Sequence, residues 1–143
     1  MNTAVKIALP TVKLTLPTGF QNDKTKEGWE LLEDVPLTGD EELELAEFLR
    51  EGENSVLGEV MFERAVKLGN RAGQRHAERL LSQANLIPKE WRDFYLVFPG
   101  TKWRDSDGFL VVPFLLWDGD KWSLYWLWLG HDWDDYVRLV RRK

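Results

Sequence analysis

Apolar residues recur at every second position over residues 3 to 16, with Pro10 between the two halves of the pattern. This period of two is typical of strands that bury one side, so we expect two short strands or a bent arm. Residues 18 to 37 combine glycine, asparagine, aspartate and proline around an isolated Trp29. Such a composition predicts an irregular connection, which Trp29 is expected to anchor.

Between residues 40 and 84 the apolar positions recur at helical spacing, and three helices are predicted. The first begins at Asp40, a good N-cap, and runs to about Glu51. The second begins near Ser55 and ends before Gly69, and the third covers residues 71 to 84. The middle of the chain is therefore predicted to be α-helical.

After Pro88 the pattern changes to aromatic and β-branched runs, which favour strands. We predict strands at Phe94 to Phe98, Phe109 to Trp117 and Trp122 to Leu129. Residues 132 to 143 fit a capped helix or an edge strand, and the strand is the slightly better fit. The predicted fold class is α+β, with the central helices packed on one face of a C-terminal antiparallel β-meander and with short N-terminal strands or an arm.

Pro113 constrains how the strands pair, because proline has no N–H to donate to a neighbour. If residues 119 and 120 are the centre of the turn, Pro113 lies opposite Trp126 in a pair that needs no such donor. The alternative turn places Pro113 opposite Leu124, where its N–H would be required, so we choose the first register. On its other side, Pro113 should break or shorten the pairing with residues 94 to 98, leaving a gap that could form a groove.

This register makes both faces of the hairpin apolar, so each face needs a cover or a partner. The helices are expected to pack on the aliphatic face. The opposite face carries four tryptophans and is covered either by the N-terminal segment or by a partner. The candidate partner-binding residues are Trp117, Trp122, Trp126, Trp128 and Trp103.

The composition agrees with one domain over residues 1–143, with 43% hydrophobic and 13% aromatic residues. We divide it into N-terminal strands or arm and loop (1–37), a helical segment (38–92) and an antiparallel sheet (93–143). The absence of cysteine excludes disulfides and thiolate chemistry and fits a reducing compartment. Lysine and proline interrupt the N-terminus, and the longest apolar run has nine residues where roughly 18 would cross a bilayer, so we expect a cytoplasmic protein without a membrane partner.

Charge is distributed unevenly around a net value of −5. Residues 27 to 53 contain eleven Asp or Glu against Arg50 alone, whereas residues 59 to 104 contain nine Lys or Arg against five Asp or Glu. We therefore predict separated acidic and basic surfaces. A basic stripe at helical spacing is the candidate nucleic-acid site, although the net charge disfavours this partner, and it comprises Arg64, Lys67, Arg71, Arg75 and Arg79.

The loops 101–108 and 130–135 should emerge at the same end of the sheet and bring carboxylates towards one imidazole. The weak candidate ligands for a divalent metal are Asp105, Asp107, His131, Asp132 and Asp134. Aspartates in such loops are more often explained by turns. His76 is expected on a helix surface among arginines.

No nucleophile elbow, phosphate-binding glycine loop or other catalytic motif is present, and no cofactor is expected. The sequence therefore favours a non-enzymatic binding or regulatory module that contacts a protein partner or a second copy of itself through its aromatic sheet region. A nucleic-acid binder and, less favoured, a divalent-metal-dependent hydrolase are the alternatives.

Overall fold

The computed structural model describes residues 9–14, 20–37 and 41–143. Within these residues the chain is α+β, with two α-helices and a mostly antiparallel sheet, which confirms the predicted class at this level. The helices are α1 (Gly58–Leu68) and α2 (Gln74–Ser82). The strands are β1 (Val12–Leu14), β2 (Glu30–Glu33), β3 (Glu41–Ala46), β4 (Ser55–Leu57), β5 (Tyr95–Val97), β6 (Lys102–Arg104), β7 (Leu110–Trp117), β8 (Trp122–Trp128), β9 (Asp132–Asp134) and β10 (Val137–Arg142).

The large sheet branches at β7. On one path β1, β3, β10, β5 and β7 are successive neighbours, and β5 runs parallel to β10. One edge of β7 pairs with β8, while the other edge pairs with β5 and then with β6, which leads to β2. β4 and β9 form a separate antiparallel pair. Residues 132–143 contain strands β9 and β10, as predicted, but the predicted edge position is wrong, because β10 lies between β3 and β5. The strand order is more complex than a simple meander.

The β7–β8 hairpin has the predicted register. Pro113 lies opposite Trp126, and the Asp118 N–H donates to the Lys121 carbonyl at 3.1 Å. Gly119, the first central residue of the turn, has a φ of 96°, as a type II′ turn requires. The missing N–H of Pro113 has therefore selected this register.

Pro113 also explains why β7 changes partner along its other edge. β5 pairs with β7 only as far as Phe114, and the Phe98 N–H then donates to the Pro113 carbonyl at 2.9 Å. The chain leaves the edge there and returns as β6, opposite Val111. The predicted break in pairing is confirmed. The predicted groove between β5 and β6 is not open at Gly100, because Ala72 packs there and its carbonyl accepts the Gly100 N–H at 2.8 Å.

The first predicted helix is wrong, because residues 41–46 form β3 between β1 and β10. Leu43 and Leu45 alternate with glutamates, a period of two that the helical signals concealed. Arg141 of β10 lies opposite Glu44 and contacts it at 2.8 Å, so the partner strand compensates the charge of β3. The proposed N-cap Asp40 lies outside the described residues, as do residues 1–8 and 15–19 of the predicted N-terminal strands.

The other helices are shorter than predicted. Residues 55–57 form β4, so the second helix begins at Gly58. The backbone of Gly58 packs against Leu129 so closely that a Cβ added at Gly58 would lie 2.5 Å from the Leu129 carbonyl oxygen. The third predicted helix is confined to Gln74–Ser82, and a 3₁₀ turn follows at Ala84–Leu86.

The core lies on both sides of β7, and each helix supplies one side. Ala77 and Leu80 of α2 pack in a cluster with Leu115 and Trp122, on the tryptophan face. In another cluster, α1 packs on the aliphatic face, where its buried residues Met61, Phe62 and Ala65 meet Val112 and Phe114. The helices therefore contact opposite faces, whereas the sequence placed them together on the aliphatic face. Neither described helix is long and apolar enough to span a membrane.

Candidate binding surface

The five tryptophans predicted to bind a partner differ widely in exposure. Trp103 and Trp122 are buried, while Trp117 and Trp126 are half-buried. Trp128 keeps 45% of its surface exposed. The predicted face is therefore mostly internal, and Trp128 is its most accessible tryptophan.

Residues 20–33 help α2 to cover the tryptophan face. Trp29 meets Trp103 and Trp126 edge-on, with ring centroids 6.3 and 5.7 Å apart. The Lys24 ammonium lies 4.5 Å from the ring centroids of both Trp29 and Trp126, a distance suited to cation–π attraction. Trp29 thus anchors its irregular segment against the sheet.

Gln74, the first residue of α2, joins this cover to the sheet through a fully buried amide. Its Oε1 accepts hydrogen bonds from the indole N–H groups of Trp103 at 2.7 Å and Trp126 at 3.1 Å. Its Nε2 donates to the Asn22 carbonyl and to the Glu78 carboxylate. Sequence reasoning missed Gln74, since a single glutamine carries no distinctive pattern.

His76 is buried, which corrects its predicted position on a helix surface. Its Nδ1 accepts the Gly73 N–H at 3.0 Å, and its Nε2 lies 3.1 Å from the Glu41 carboxylate. Burial lowers the pKa of His76 and outweighs the opposing attraction of Glu41. The neutral imidazole therefore links α2 to β3 as a structural hydrogen-bonding group.

The predicted basic stripe does not form one continuous row. α1 ends at Leu68 and α2 begins at Gln74, and the two helices contact opposite faces of β7. The stripe is divided between α1, the connecting loop and α2, and its members are Arg64, Lys67, Arg71, Arg75 and Arg79.

Several of these basic side chains contact the acidic stretch of residues 27–53. Arg64 forms a two-armed contact with Glu53 at 2.6 and 2.9 Å. Its hydrogen bonds, with one from the Arg50 N–H, lower the pKa of Glu53 to about 2. Arg71 likewise contacts Glu33 at 2.9 Å. Charges that are separated in the sequence therefore neutralise one another within the fold.

The predicted metal ligands make the hydrogen bonds of turns. Asp105 accepts the N–H groups of Asp107 and Phe109, each at 2.9 Å, and Asp134 accepts the Tyr136 N–H at the same distance. In the part of the chain that the structure describes, no group of three or more acidic or histidine side chains could hold a metal ion.

An exposed row of aromatic rings lies where these loops meet. The ring centroids of Phe109 and Trp128 are 5.2 Å apart, and those of Trp128 and His131 are 5.9 Å apart. Phe109 is 47% exposed, similar to Trp128. Phe109, which follows the loop 101–108, and His131, in the loop 130–135, therefore both lie against Trp128. We call this region the aromatic–acidic end, comprising Phe109, Trp128 and His131 with Asp105, Asp107, Asp132, Asp134 and Asp135.

Two contacts fix the position of Trp128. Its ring lies over Gly130, where an added Cβ would come within 2.4 Å of the indole. Its carbonyl accepts the Trp133 indole N–H at 3.1 Å, and the Trp133 ring is buried. The exposed ring is therefore held in place before any partner arrives. His131, the neighbour of Trp128, also lines a groove of about 170 Å³ together with Tyr95, Leu127, Asp132, Trp133, Asp134 and Val137.

Comparison with known proteins finds no matching family model, no matching curated protein and no matching solved structure.

Proposed function

We propose that the protein is a non-enzymatic binding module that recognises a basic segment of another protein at its aromatic–acidic end. The observation that carries this proposal is the exposed pair of rings at Phe109 and Trp128, 5.2 Å apart. The Asp105 carboxylate accepts the Phe109 N–H at 2.9 Å, and Asp132 and Asp134 follow Trp128 closely in the sequence. Arginine and lysine side chains stack on such rings, and carboxylates beside them add charge attraction.

The charge of this region supports a basic partner. Residues 105–136 contain seven aspartates and Lys121 as their single basic residue. Among the ion pairs of the described residues, only Asp135 of these aspartates takes part, with Arg138 at 3.2 Å. This distinguishes the region from residues 27–53, where most glutamates form ion pairs with arginine or lysine. Its negative potential is therefore available to attract cations from outside the chain.

The fixed geometry of the rings supports binding without rearrangement. The Trp128 ring packs over Gly130 and against Phe109, and Trp133 fixes the Trp128 backbone, so little side-chain freedom is lost when a partner stacks on the ring. Large aromatic residues in such positions contribute strongly to protein interfaces.

The nucleic-acid alternative has less support, because its basic row is divided and Arg64 and Arg71 contact glutamates of the same chain. The aromatic–acidic end would repel phosphates. The metal-dependent hydrolase has less support as well, since Asp105 and Asp134 accept backbone N–H groups in turns.

Isothermal titration with two synthetic peptides tests the proposal. We expect an alternating Arg-Gly peptide to bind and an alternating Glu-Gly peptide of the same length not to bind. Binding of the Arg-Gly peptide should weaken at least fivefold between about 50 and about 300 mM salt, because exposed charges are screened.

Matched variants locate the site. Trp128→Ala should weaken the Arg-Gly peptide at least fivefold, while Leu86→Ala, which also removes an exposed apolar side chain, should leave the affinity unchanged. Asp132→Asn should weaken binding more than Asp120→Asn in the β7–β8 turn. Equal binding of both peptides, or an unchanged affinity in Trp128→Ala, would refute the proposal.

A further inference from the structure

The outer edge of β8 carries backbone groups that are available for pairing. Among the described residues, β8 pairs with β7 alone. The bonds at Asp118–Lys121 and at Leu129 fix the alternation, so Ser123, Tyr125 and Leu127 turn their backbone groups towards β7. The N–H and C=O groups of the intervening residues point outwards, and these are Trp122, Leu124, Trp126 and Trp128. The Trp128 carbonyl already accepts the Trp133 indole N–H, so the available part of the edge is Trp122–Trp126.

This edge lacks the features that usually prevent strands of different chains from pairing. Trp122–Trp128 contains no proline and no charged residue, and its seven pairs with β7 run without a register shift. Exposed edges are commonly protected by lysine, proline or a bulge. An unprotected edge of this length is suited to the addition of another strand.

A row of aromatic rings crosses the aliphatic face and ends at this edge. The rings of Tyr95 and Phe114 are stacked with centroids 5.7 Å apart, and those of Phe114 and Tyr125 are also 5.7 Å apart. Tyr125 is the last ring of the row and is 48% exposed. A strand added to β8 with an aromatic residue opposite Tyr125 would continue the row.

The sequence of β8 itself supplies such a strand. Trp-Ser-Leu-Tyr-Trp-Leu-Trp has tryptophan at both ends and tyrosine at its centre. We infer that the added strand is β8 of a second copy, paired antiparallel about a two-fold axis at Tyr125. This axis places Tyr125 opposite Tyr125, Trp122 opposite Trp128 and Leu124 opposite Trp126, and the outward groups of Leu124 and Trp126 bond reciprocally.

Two properties of the association follow. The contact is built on seven residues of each copy, so it should lie at the small end of protein interfaces and dissociate on dilution. The β7–β8 turn, with Asp118 and Asp120, would approach the aromatic–acidic end of the other copy. Salt screens this repulsion, so self-association should strengthen with salt, opposite to the salt dependence of peptide binding.

Sedimentation velocity over a range of protein concentrations tests the inference. The natural sequence should shift from monomer to dimer with rising concentration. Tyr125→Glu places two carboxylates opposite each other at the axis and should raise the dissociation constant at least tenfold. Tyr136→Glu introduces the same charge at another exposed tyrosine and should leave the dimer intact.

Amide hydrogen exchange supplies an independent readout. The N–H groups of Leu124 and Trp126 should be protected at high concentration and exchange rapidly on dilution, whereas those of Tyr125 and Leu127 stay protected throughout. A monomer at all concentrations would overturn the inference, as would protection of Leu124 and Trp126 that is independent of concentration. Neither result would test peptide binding, because the peptide titrations are run at protein concentrations below those at which the dimer forms.

Discussion

At the residue scale, the indole N–H groups distinguish structural from accessible tryptophans. Trp103 and Trp126 both donate to the buried Gln74 amide, and Trp133 donates to the Trp128 carbonyl. These bonds satisfy polar groups that burial would otherwise leave costly. Trp122 is the contrasting case, since its buried Nε1 has no hydrogen-bond partner among the described residues.

Phenylalanine substitutions test this difference, because both tryptophans are buried and both changes remove the same atoms. We expect Trp103→Phe to lower the free energy of unfolding by about 1 kcal/mol more than Trp122→Phe, the net value of one hydrogen bond. Urea denaturation of the two variants measures the difference. Equal losses would show that the Gln74 bond contributes nothing.

His76 predicts how stability depends on pH. Burial lowers its pKa from the ordinary value of 6.5, so below pH 6.5 the unfolded chain takes up a proton that the folded chain resists. The free energy of unfolding should therefore fall as the pH drops from about 6.5 towards the lower folded-state pKa. The groups around His76 include Glu41, Arg142 and Asp34.

Urea denaturation at pH 7 and at pH 5.5 measures this effect. His76→Gln should be less stable at pH 7 and should lose most of the difference between the two pH values. His131→Gln, which changes a more exposed imidazole, should retain that difference. A pH dependence that disappears in His131→Gln instead would contradict the assignment.

At the element scale, strand pairing was predicted best where the chemistry of one residue excluded all registers but one. Pro113 has no N–H, and this alone selected the register of β7 with β8 and predicted the break with β5. β3 was missed because its apolar alternation competed with helix-forming glutamates. Its stability as a strand depends on Arg141 and on His76, which no local pattern reveals.

Pro113→Ala tests the role of the missing donor. The new N–H would face Phe98 at the buried edge of β7, and the Phe98 carbonyl already accepts the Thr101 N–H at 3.5 Å. We expect the free energy of unfolding to fall by about 1 kcal/mol, because the new N–H and the Thr101 N–H would compete for one carbonyl. Pro36→Ala, at an exposed proline, should have a smaller effect in the same thermal or urea denaturation.

At the scale of the whole molecule, the fold rearranges the charge pattern of the sequence. Many of the acidic residues before position 54 and the basic residues after position 63 lie far apart in the chain, yet they meet as pairs such as Arg75–Asp34 and Arg71–Glu33. Long-range pairing of this kind cannot be read from local charge. The predicted separate acidic and basic surfaces are therefore partly replaced by ion pairs within the fold. Among the described residues, the acidic side chains that form no ion pair include Asp105 and Asp132 of the aromatic–acidic end.

The candidate site was accordingly predicted only in part. Trp128 and the loop aspartates were named from the sequence, and the loops were expected at one end of the sheet. Phe109 was not named, although the predicted register places it two residues before Val111, which lies opposite Trp128. The burial of Trp103 and Trp122 follows from α2 and residues 20–33, which cover the face from distant parts of the chain.

Nuclear magnetic resonance of the eight tryptophan indole N–H groups during titration with the Arg-Gly peptide tests the proposed function most directly. We predict that the Trp128 signal moves furthest and saturates, while those of Trp103 and Trp126, which are bonded to Gln74, move little. Largest shifts at the buried indoles, or no saturable shift at Trp128, would contradict binding at the aromatic–acidic end.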